Sequence, residues 1–209
     1  LIMQMNLVRS TMLLFFNGCS NTWGGELEDL SDRYSKIVSD HYGVEEQNDA
    51  MCGVSNDRIT CSTIKKIRRE KIDHVIIQFT VPSRLRYYDD RGRENNWTPS
   101  DRNKKRYNNF ARNQWYKHVY NRHMGVENMW KNMYLFDSFC KSVGQKYTAL
   151  IADHWTDDLD IDAHWKKDLS PIRIHRDILE DKSLLLEHKH PSPVGHRKIA
   201  EEIIRHVDS

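Results

Sequence analysis

Short apolar runs alternate with amphipathic segments along most of this chain. Residues 12–16 form a continuous apolar run, as expected of a strand that is covered on both faces, and 74–80 and 147–152 are further predicted strands. Apolar residues recur at helical spacing over 27–41, 59–67, 126–143 and 199–207. Because strands and helices alternate, we predict a mostly parallel sheet with helices on both faces, which makes a three-layer α/β/α sandwich.

The alternation is interrupted between residues 84 and 123. This segment is poor in aliphatic residues and rich in Arg, Asn, Tyr and Trp, and we interpret it as an insertion that is partly helical toward its end. Between Arg84 and Arg122 there are eleven basic residues against four acidic ones, although the whole chain has a net charge of only +2. Three interpretations stay open: a solvated surface excursion, a rim that recruits an acidic polysaccharide, or a nucleic-acid contact. The nucleic-acid contact is the least expected of the three because no recognised motif is present.

Length and composition fit one domain over 1–209 that includes this insertion. No stretch approaches the ~20 apolar residues that a membrane-spanning helix needs. The run 12–16 is too short for a signal peptide, so we expect no cleavable signal and a cytoplasmic or phage-particle location. Cys19, Cys52, Cys61 and Cys140 include no C-x-x-C pair, so we expect free thiols and neither metal nor cofactor.

Candidate chemistry lies at the two ends of the domain. The first predicted strand runs into Gly18-Cys19-Ser20, which exposes a serine hydroxyl before a helix and directs free backbone N–H groups toward it. Near the other end, Pro191 keeps His190 out of helical geometry, and Ser192-Pro193 is a typical helix start. Glu187, three residues before His190, could orient the imidazole as a triad acid does.

Each of these features also has a plain structural interpretation. Ser20 could simply cap a turn that Gly24-Gly25 completes. His188, His190 and His196 could belong to a polar surface loop, and a metal cluster is less favoured because ligands at suitable spacing are missing.

Taken together, the residues resemble the GDSL or SGNH hydrolases. Their first block, an apolar strand followed by Gly-Asp-Ser, resembles Phe15-Phe16-Asn17-Gly18-Cys19-Ser20. Their last block, Asp-x-x-His, resembles the segment from Glu187 to His190, and their oxyanion-hole Gly resembles Gly53 in Cys52-Gly53-Val54-Ser55-Asn56. The stretch 18–27 is similar to that of members found in phage genomes.

This resemblance implies a flavodoxin-like sheet, with Ser20 as nucleophile, His190 as general base and acid, and Glu187 as its orienting acid. The backbone N–H groups of Ser20 and Gly53 would form the oxyanion hole. The family's third block, Gly-x-Asn-Asp, is absent, and Thr80 or Asn21 is the candidate for the missing donor. Removing one such donor typically costs ~10²–10³ in rate.

We therefore expect a cofactor-independent serine esterase or deacylase that hydrolyses oxygen esters, with O-acetyl groups of a carbohydrate as the candidate substrate. An acetylated or acidic polysaccharide is the expected partner, and Arg84 and Trp155 are candidate substrate-binding residues. The alternative is a catalytically weak or inactive scaffold that serves as a structural or binding module, for example in a phage particle. The sequence leaves the oligomeric state open.

Overall fold

The structure is a computed structural model that describes residues 12–99, 109–152, 169–174, 178–179 and 181–209. Its strands, in chain order, are β1 (Leu14–Asn17), β2 (Gln47–Asn48), β3 (His74–Phe79), β4 (Leu85–Tyr88), β5 (Glu94–Trp97), β6 (Tyr147–Ile151) and β7 (Ile172–Arg173). Five of them form one parallel sheet in the order β2-β1-β3-β6-β7, and β4 and β5 form a separate antiparallel hairpin. Counted within the parallel sheet alone, this is the 2-1-3-4-5 order of flavodoxin-like folds, so the predicted topology is confirmed.

Helices cover both faces of the parallel sheet. They are α1 (Ser20–Trp23), α2 (Tyr34–His41), α3 (Asn56–Ile67), α4 (Asn109–His118), α5 (Arg122–Val143) and α6 (Pro193–Val207). Helices α2 and α6 pack together on one face, and α3 and α5 pack together on the other. The predicted three-layer α/β/α sandwich is therefore confirmed.

The strands are buried on both faces because their side chains alternate between two cores. In β1, Phe15 belongs to the core under α3 and α5, whereas Leu14 and Phe16 belong to the core under α2 and α6. In β3, Val75 and Ile76 divide between the two cores in the same way. The apolar character of these strands in the sequence follows from this two-sided burial.

Several helix ends follow from local capping signals in the sequence. The Ser192 hydroxyl accepts a hydrogen bond from the N–H of Gly195 at the start of α6, with Pro193 in the first turn. Ser55 caps α3 in the same manner through the N–H of Arg58. Gly144 ends α5 in the left-handed conformation, with φ of 68°.

Three local predictions need correction. The amphipathic stretch 27–41 is a 3-10 turn, Leu30–Asp32, followed by α2, because Arg33 is extended and separates the two. The segment 47–55, expected to be a second strand that ends in a loop, forms a strand only over Gln47–Asn48. The basic segment contains the β4–β5 hairpin before its helical part, since its aromatic and polar residues pair across two short strands.

Candidate active site

Ser20 lies where the sheet order changes direction. It follows β1, and the chain leaves β1 on one side for β2 while β3 lies on the other side. In open α/β sheets this switch point, outside the carboxyl ends of the strands, is the usual ligand site. Ser20 is the first residue of α1 and is 8% exposed, so its hydroxyl stands at the edge of the core.

Asn17 and Gly18 hold the turn that carries Ser20. The Asn17 amide donates to the Ile59 carbonyl and to the Ser62 and Thr63 hydroxyls of α3, and its oxygen accepts from the Gly18 N–H. A Cβ atom added at Gly18 would lie 2.1 Å from the Thr22 hydroxyl oxygen. Only glycine therefore allows the chain to pass between β1 and α1 at this position.

A buried hydrogen-bond network fixes α1 against the sheet. The Thr22 hydroxyl lies 2.6 Å from the Tyr34 hydroxyl and 2.5 Å from the side-chain oxygen of Gln78, and all three residues are fully buried. This network connects the serine turn to α2 and to the end of β3. Burial raises the pKa of Tyr34 far above its usual value despite the opposing hydrogen bond to Thr22, so its hydroxyl stays protonated as a donor.

The structure brings Ser20 and His190 together across the domain. His190 Nε2 lies 2.8 Å from Ser20 Oγ, although 170 positions separate the two residues. Since the other ring nitrogen faces a carboxylate, the network assigns the proton to Nδ1 and leaves Nε2 as the acceptor for the serine hydroxyl. This is the arrangement in which a histidine can remove a serine proton.

The carboxylate at His190 is Glu26 and not Glu187. Glu26 Oε2 lies 2.5 Å from His190 Nδ1, and the carboxylate also accepts the backbone N–H of His188 at 3.0 and 3.2 Å. Glu187 is exposed and makes no hydrogen bond or ion pair within the described part of the chain. The reason is a tight turn in which the Lys189 N–H donates to the Leu186 carbonyl, with Glu187 at its solvent-facing corner.

Two glycines bring Glu26 back to the serine. The N–H groups of Gly24 and Gly25 both donate to the Ser20 carbonyl, at 3.0 and 2.7 Å, and close α1 after one turn. Gly24 is left-handed, with φ of 90°, and Glu26 itself is left-handed, with φ of 68°. A Cβ at Gly25 would lie 3.2 Å from His190 Nε2 and from the Ser20 carbonyl oxygen. Glycine at 25 therefore leaves the room that the imidazole occupies.

The site stabilises the charged form of Glu26. Partial burial would by itself raise the pKa of Glu26, but the hydrogen bonds from the His190 ring and the His188 N–H outweigh it, and the pKa is lowered overall. The side chains of His190 and Glu26 are 23% and 20% exposed. An ionised carboxylate beside Nδ1 holds the ring orientation and stabilises the imidazolium that forms when Nε2 takes a proton.

The three histidines that the sequence could not separate have three different environments. His190 contacts Ser20, the exposed His188 uses its backbone N–H, and His196 is fully buried in α6. His196 Nδ1 accepts the N–H of Tyr34 at the start of α2. Burial lowers the pKa of His196 to about 4, and the charge of His190 adds to this effect. His196 is thus a neutral structural residue near physiological pH.

The predicted oxyanion-hole residues differ in their availability. Gly53 is half-buried and left-handed, with φ of 77°, and its N–H has no hydrogen-bond partner within the described residues. The loop that carries it passes beside the serine turn, since the Met51 N–H donates to the Gly18 carbonyl. Asn21 is 5% exposed, and its side chain makes no hydrogen bond to described residues.

Thr80 is not positioned to contact a substrate. It is fully buried, its N–H donates to Asn56 Oδ1 at 2.7 Å, and its carbonyl accepts from the same amide at 3.1 Å. Its hydroxyl accepts from the Arg84 guanidinium at 2.6 Å. Thr80 and Arg84 therefore connect the end of β3 to the loop that carries Gly53. The Thr80 side chain does not take the place of the Asn in the Gly-x-Asn-Asp block, which this chain lacks.

Other predicted features lie elsewhere or outside the described residues. Trp155 is outside the described residues. Within the described ranges, no three or more His, Cys, Asp or Glu side chains are grouped to hold a metal ion. In the same ranges, no helix combines the length and apolarity that crossing a membrane requires.

A cavity of about 730 Å³ lies at the other end of the strands from Ser20. His74, Tyr147 and Val207 are among the residues that line it.

Sequence reasoning missed Glu26. The signal that could have found it is the Gly24-Gly25 pair four residues after Ser20, since consecutive glycines after a one-turn helix allow a sharp reversal. The amphipathic pattern beginning at Leu27 predicted a helix at this place instead. The Glu-x-x-His spacing favoured Glu187, which is close to His190 in sequence but does not contact its ring.

Comparison with known proteins supports the fold. No protein-family model and no curated protein matches the chain by sequence. Among solved structures it is similar to the psychrotrophic esterase EstA from Pseudoalteromonas sp., with 11% identity over 94% of this chain and 99% of that one and a TM-score of 0.56. A member of the lipolytic protein G-D-S-L family from Veillonella parvula is 12% identical. That alignment covers 93% of this chain and 97% of that one, with a TM-score of 0.53. A catalytic mutant of an acetylxylan esterase from Geobacillus stearothermophilus has 13% identity, covers 93% of both chains, and has a TM-score of 0.57. The chain therefore has the fold of GDSL/SGNH esterases.

Proposed function

We propose that this protein is a serine ester hydrolase that acts through an acyl-enzyme at Ser20. The observation that carries the proposal is the continuous chain of hydrogen bonds from Ser20 Oγ to His190 Nε2 and from His190 Nδ1 to Glu26. Nucleophile, base and orienting acid occupy the switch point of the sheet, where the fold places ligand sites.

The proposed mechanism gives each of these residues a role. His190 Nε2 takes the Ser20 proton as Oγ bonds to the ester carbonyl carbon, and the ionised Glu26 stabilises the resulting imidazolium. The imidazolium then protonates the departing alcohol, which leaves the acyl group on Ser20. A water molecule, deprotonated by His190, attacks the acyl carbon and releases the acid. The backbone N–H groups of Ser20 and Gly53 are the proposed donors to the oxyanion.

O-acetyl groups on a carbohydrate are the proposed substrate. An acetylxylan esterase of the same fold supports this choice. Exposed or half-exposed aromatic rings on the hairpin and on α4, such as Tyr88 and Trp115, provide surfaces on which sugar rings can stack.

A second function, a binding or structural module with weak or no activity, is favoured by one observation. Thr80 is fully buried and bonded to Asn56 and Arg84, so the third oxyanion donor is not provided there. The two functions differ in whether Ser20 is reactive.

Reactivity of Ser20 is tested by labelling with a fluorophosphonate probe. We expect the wild type to be labelled and Ser20→Ala and His190→Ala to lose labelling, because the probe needs an activated serine. Hydrolysis of 4-nitrophenyl acetate should fall by at least ~10³-fold in both variants. Ser138→Ala, which removes an exposed serine on α5, is the matched control and should label as the wild type does. A folded wild type that does not label would overturn the hydrolase proposal in favour of the binding module.

A further inference from the structure

A second cavity lies beside the candidate active site, between the hairpin and α5. It has a volume of about 480 Å³, within the range of small-molecule sites, and none of Ser20, Gly53 and His190 lines it. Arg84 lines it and connects it to the site, because the guanidinium also donates to the Val54 carbonyl, next to Gly53. A ligand in this cavity would therefore lie next to the loop that carries Gly53 without filling the proposed oxyanion hole.

Arg84 is held in place on the wall of the cavity. Its Nη1 donates to the Thr80 hydroxyl at 2.6 Å and to the Val54 carbonyl at 3.4 Å. Its Nε and Nη2 groups make no hydrogen bond within the described part of the chain. A guanidinium anchored at one nitrogen, with donors left over, is arranged to bind a ligand at a low entropic cost.

Three aromatic rings are among the residues that line the cavity. Trp115 and Tyr120 line it from α4 and from the residues just after that helix, and Tyr88 lines it from β4. Tyr120 crosses α5 at Gly125, where a Cβ would lie 2.5 Å from the Tyr120 hydroxyl oxygen. The lack of a side chain at Gly125 therefore makes room for this ring.

Tyr88 is the most accessible of these rings. It is 56% exposed, and the guanidinium carbon of Arg86 lies 5.1 Å from its ring centre. Arg86 also forms an ion pair with Glu94, which fixes the guanidinium beside the ring. Tyr88 is thus supported in position while much of its surface stays open.

Charges of both signs line the cavity. Glu94 pairs with both Arg86 and Arg58, and the cations Arg84, Arg86 and Lys131 share the lining with two carboxylates. These carboxylates are Asp57, which accepts from the Asn128 and Asn132 amides at 3.3 Å, and the exposed Glu127. Planar donors and acceptors beside aromatic rings suit the hydroxyl groups and the apolar faces of an uncharged sugar better than an anion.

We propose that this cavity is a subsite for an uncharged sugar unit of the polysaccharide whose ester is cleaved at Ser20. The inference rests on the proposed function and deepens it: the hairpin and α4–α5 segment selects a neutral glycan, in spite of its excess of basic residues. The sugar stacks on Trp115 and Tyr88, and Arg84 donates to its hydroxyl oxygens.

Calorimetric titration with unacetylated oligosaccharides tests the subsite without requiring catalysis. We expect the wild type to bind xylohexaose or mannohexaose, and Trp115→Ala to weaken that binding at least about tenfold. Phe110→Ala is the matched control, since Phe110 is an aromatic residue of the same helix that is 75% exposed and does not line the cavity. It should bind as the wild type does, and binding should change less than about twofold between ~50 and ~300 mM NaCl.

Thermal melting checks that each variant is folded. If Trp115→Ala does not fold, Tyr88→Ala removes an exposed ring and should weaken binding at least about threefold. Binding of neither neutral oligosaccharide, equal binding by both cavity variants and the wild type, or binding of oligogalacturonate alone with a steep salt dependence would overturn the subsite. Fluorophosphonate labelling of the same samples separates the two proposals: labelled protein that does not bind sugar refutes only the subsite, whereas sugar binding without labelling refutes only the hydrolase.

Discussion

The loop after α1 and the loop before α6 each present a glutamate near His190, but only one of them contacts the ring. Glu187 is three residues from His190 and is exposed on a turn, whereas Glu26 is 164 residues away and lies 2.5 Å from Nδ1. In the first loop, Gly24 and Gly25 reverse the chain toward Ser20. Proximity in sequence therefore says little about which carboxylate orients a histidine, because the backbone path decides it.

Replacing each glutamate by glutamine is the strongest test of this difference. Glu26→Gln should lower kcat for 4-nitrophenyl acetate by on the order of 10³-fold, because an amide neither fixes the Nδ1–H tautomer nor stabilises the imidazolium. Glu187→Gln is the matched control and should stay within about twofold of the wild type. The opposite ranking of the two variants would return the orienting role to Glu187.

Gly25→Ala tests the loop geometry without changing a charge. The new Cβ would crowd His190 Nε2 and the Ser20 carbonyl oxygen at 3.2 Å, so we expect the imidazole to shift and kcat to fall about tenfold or more. The KM should change less than kcat, since the ester itself is not contacted. Wild-type kcat in a folded Gly25→Ala protein would show that the ring does not depend on this close approach.

The acid dependence of stability should also differ between the two loops, with a smaller effect. Burial by itself would raise the pKa of Glu26. The hydrogen bonds from His190 and His188 outweigh this effect, so the folded-state pKa lies below the ordinary value of 4.5. Glu26 therefore adds stability above about pH 4.5 that is lost as the pH falls through its lower folded-state value. The melting temperature of Glu26→Gln should fall less on acidification below pH 4.5 than that of the wild type, while Glu187→Gln should follow the wild type. Parallel curves for all three proteins would contradict the interaction.

The local pattern of the sequence determined most of the scaffold. Most residues of β1, β3 and β6 are apolar because the sheet is covered on both faces, and such segments can be recognised without a structure. Ser192-Pro193 and Gly144 are local signals in the same sense, since capping depends on a few adjacent residues. The pattern marks Ser20 and His190 at a strand end and a helix start, and the resemblance to GDSL hydrolases then predicts their roles.

The tertiary structure alone decided which groups meet. Glu26, left-handed at φ of 68°, reaches His190 only because α1 ends after one turn, and no periodicity in the sequence indicates that path. Thr80 was a candidate oxyanion donor by its place after β3, but Asn56 and Arg84 bond to it inside the core. Secondary structure follows from interactions within a few residues, whereas a hydrogen bond between side chains more than 160 positions apart depends on how the whole sheet is assembled.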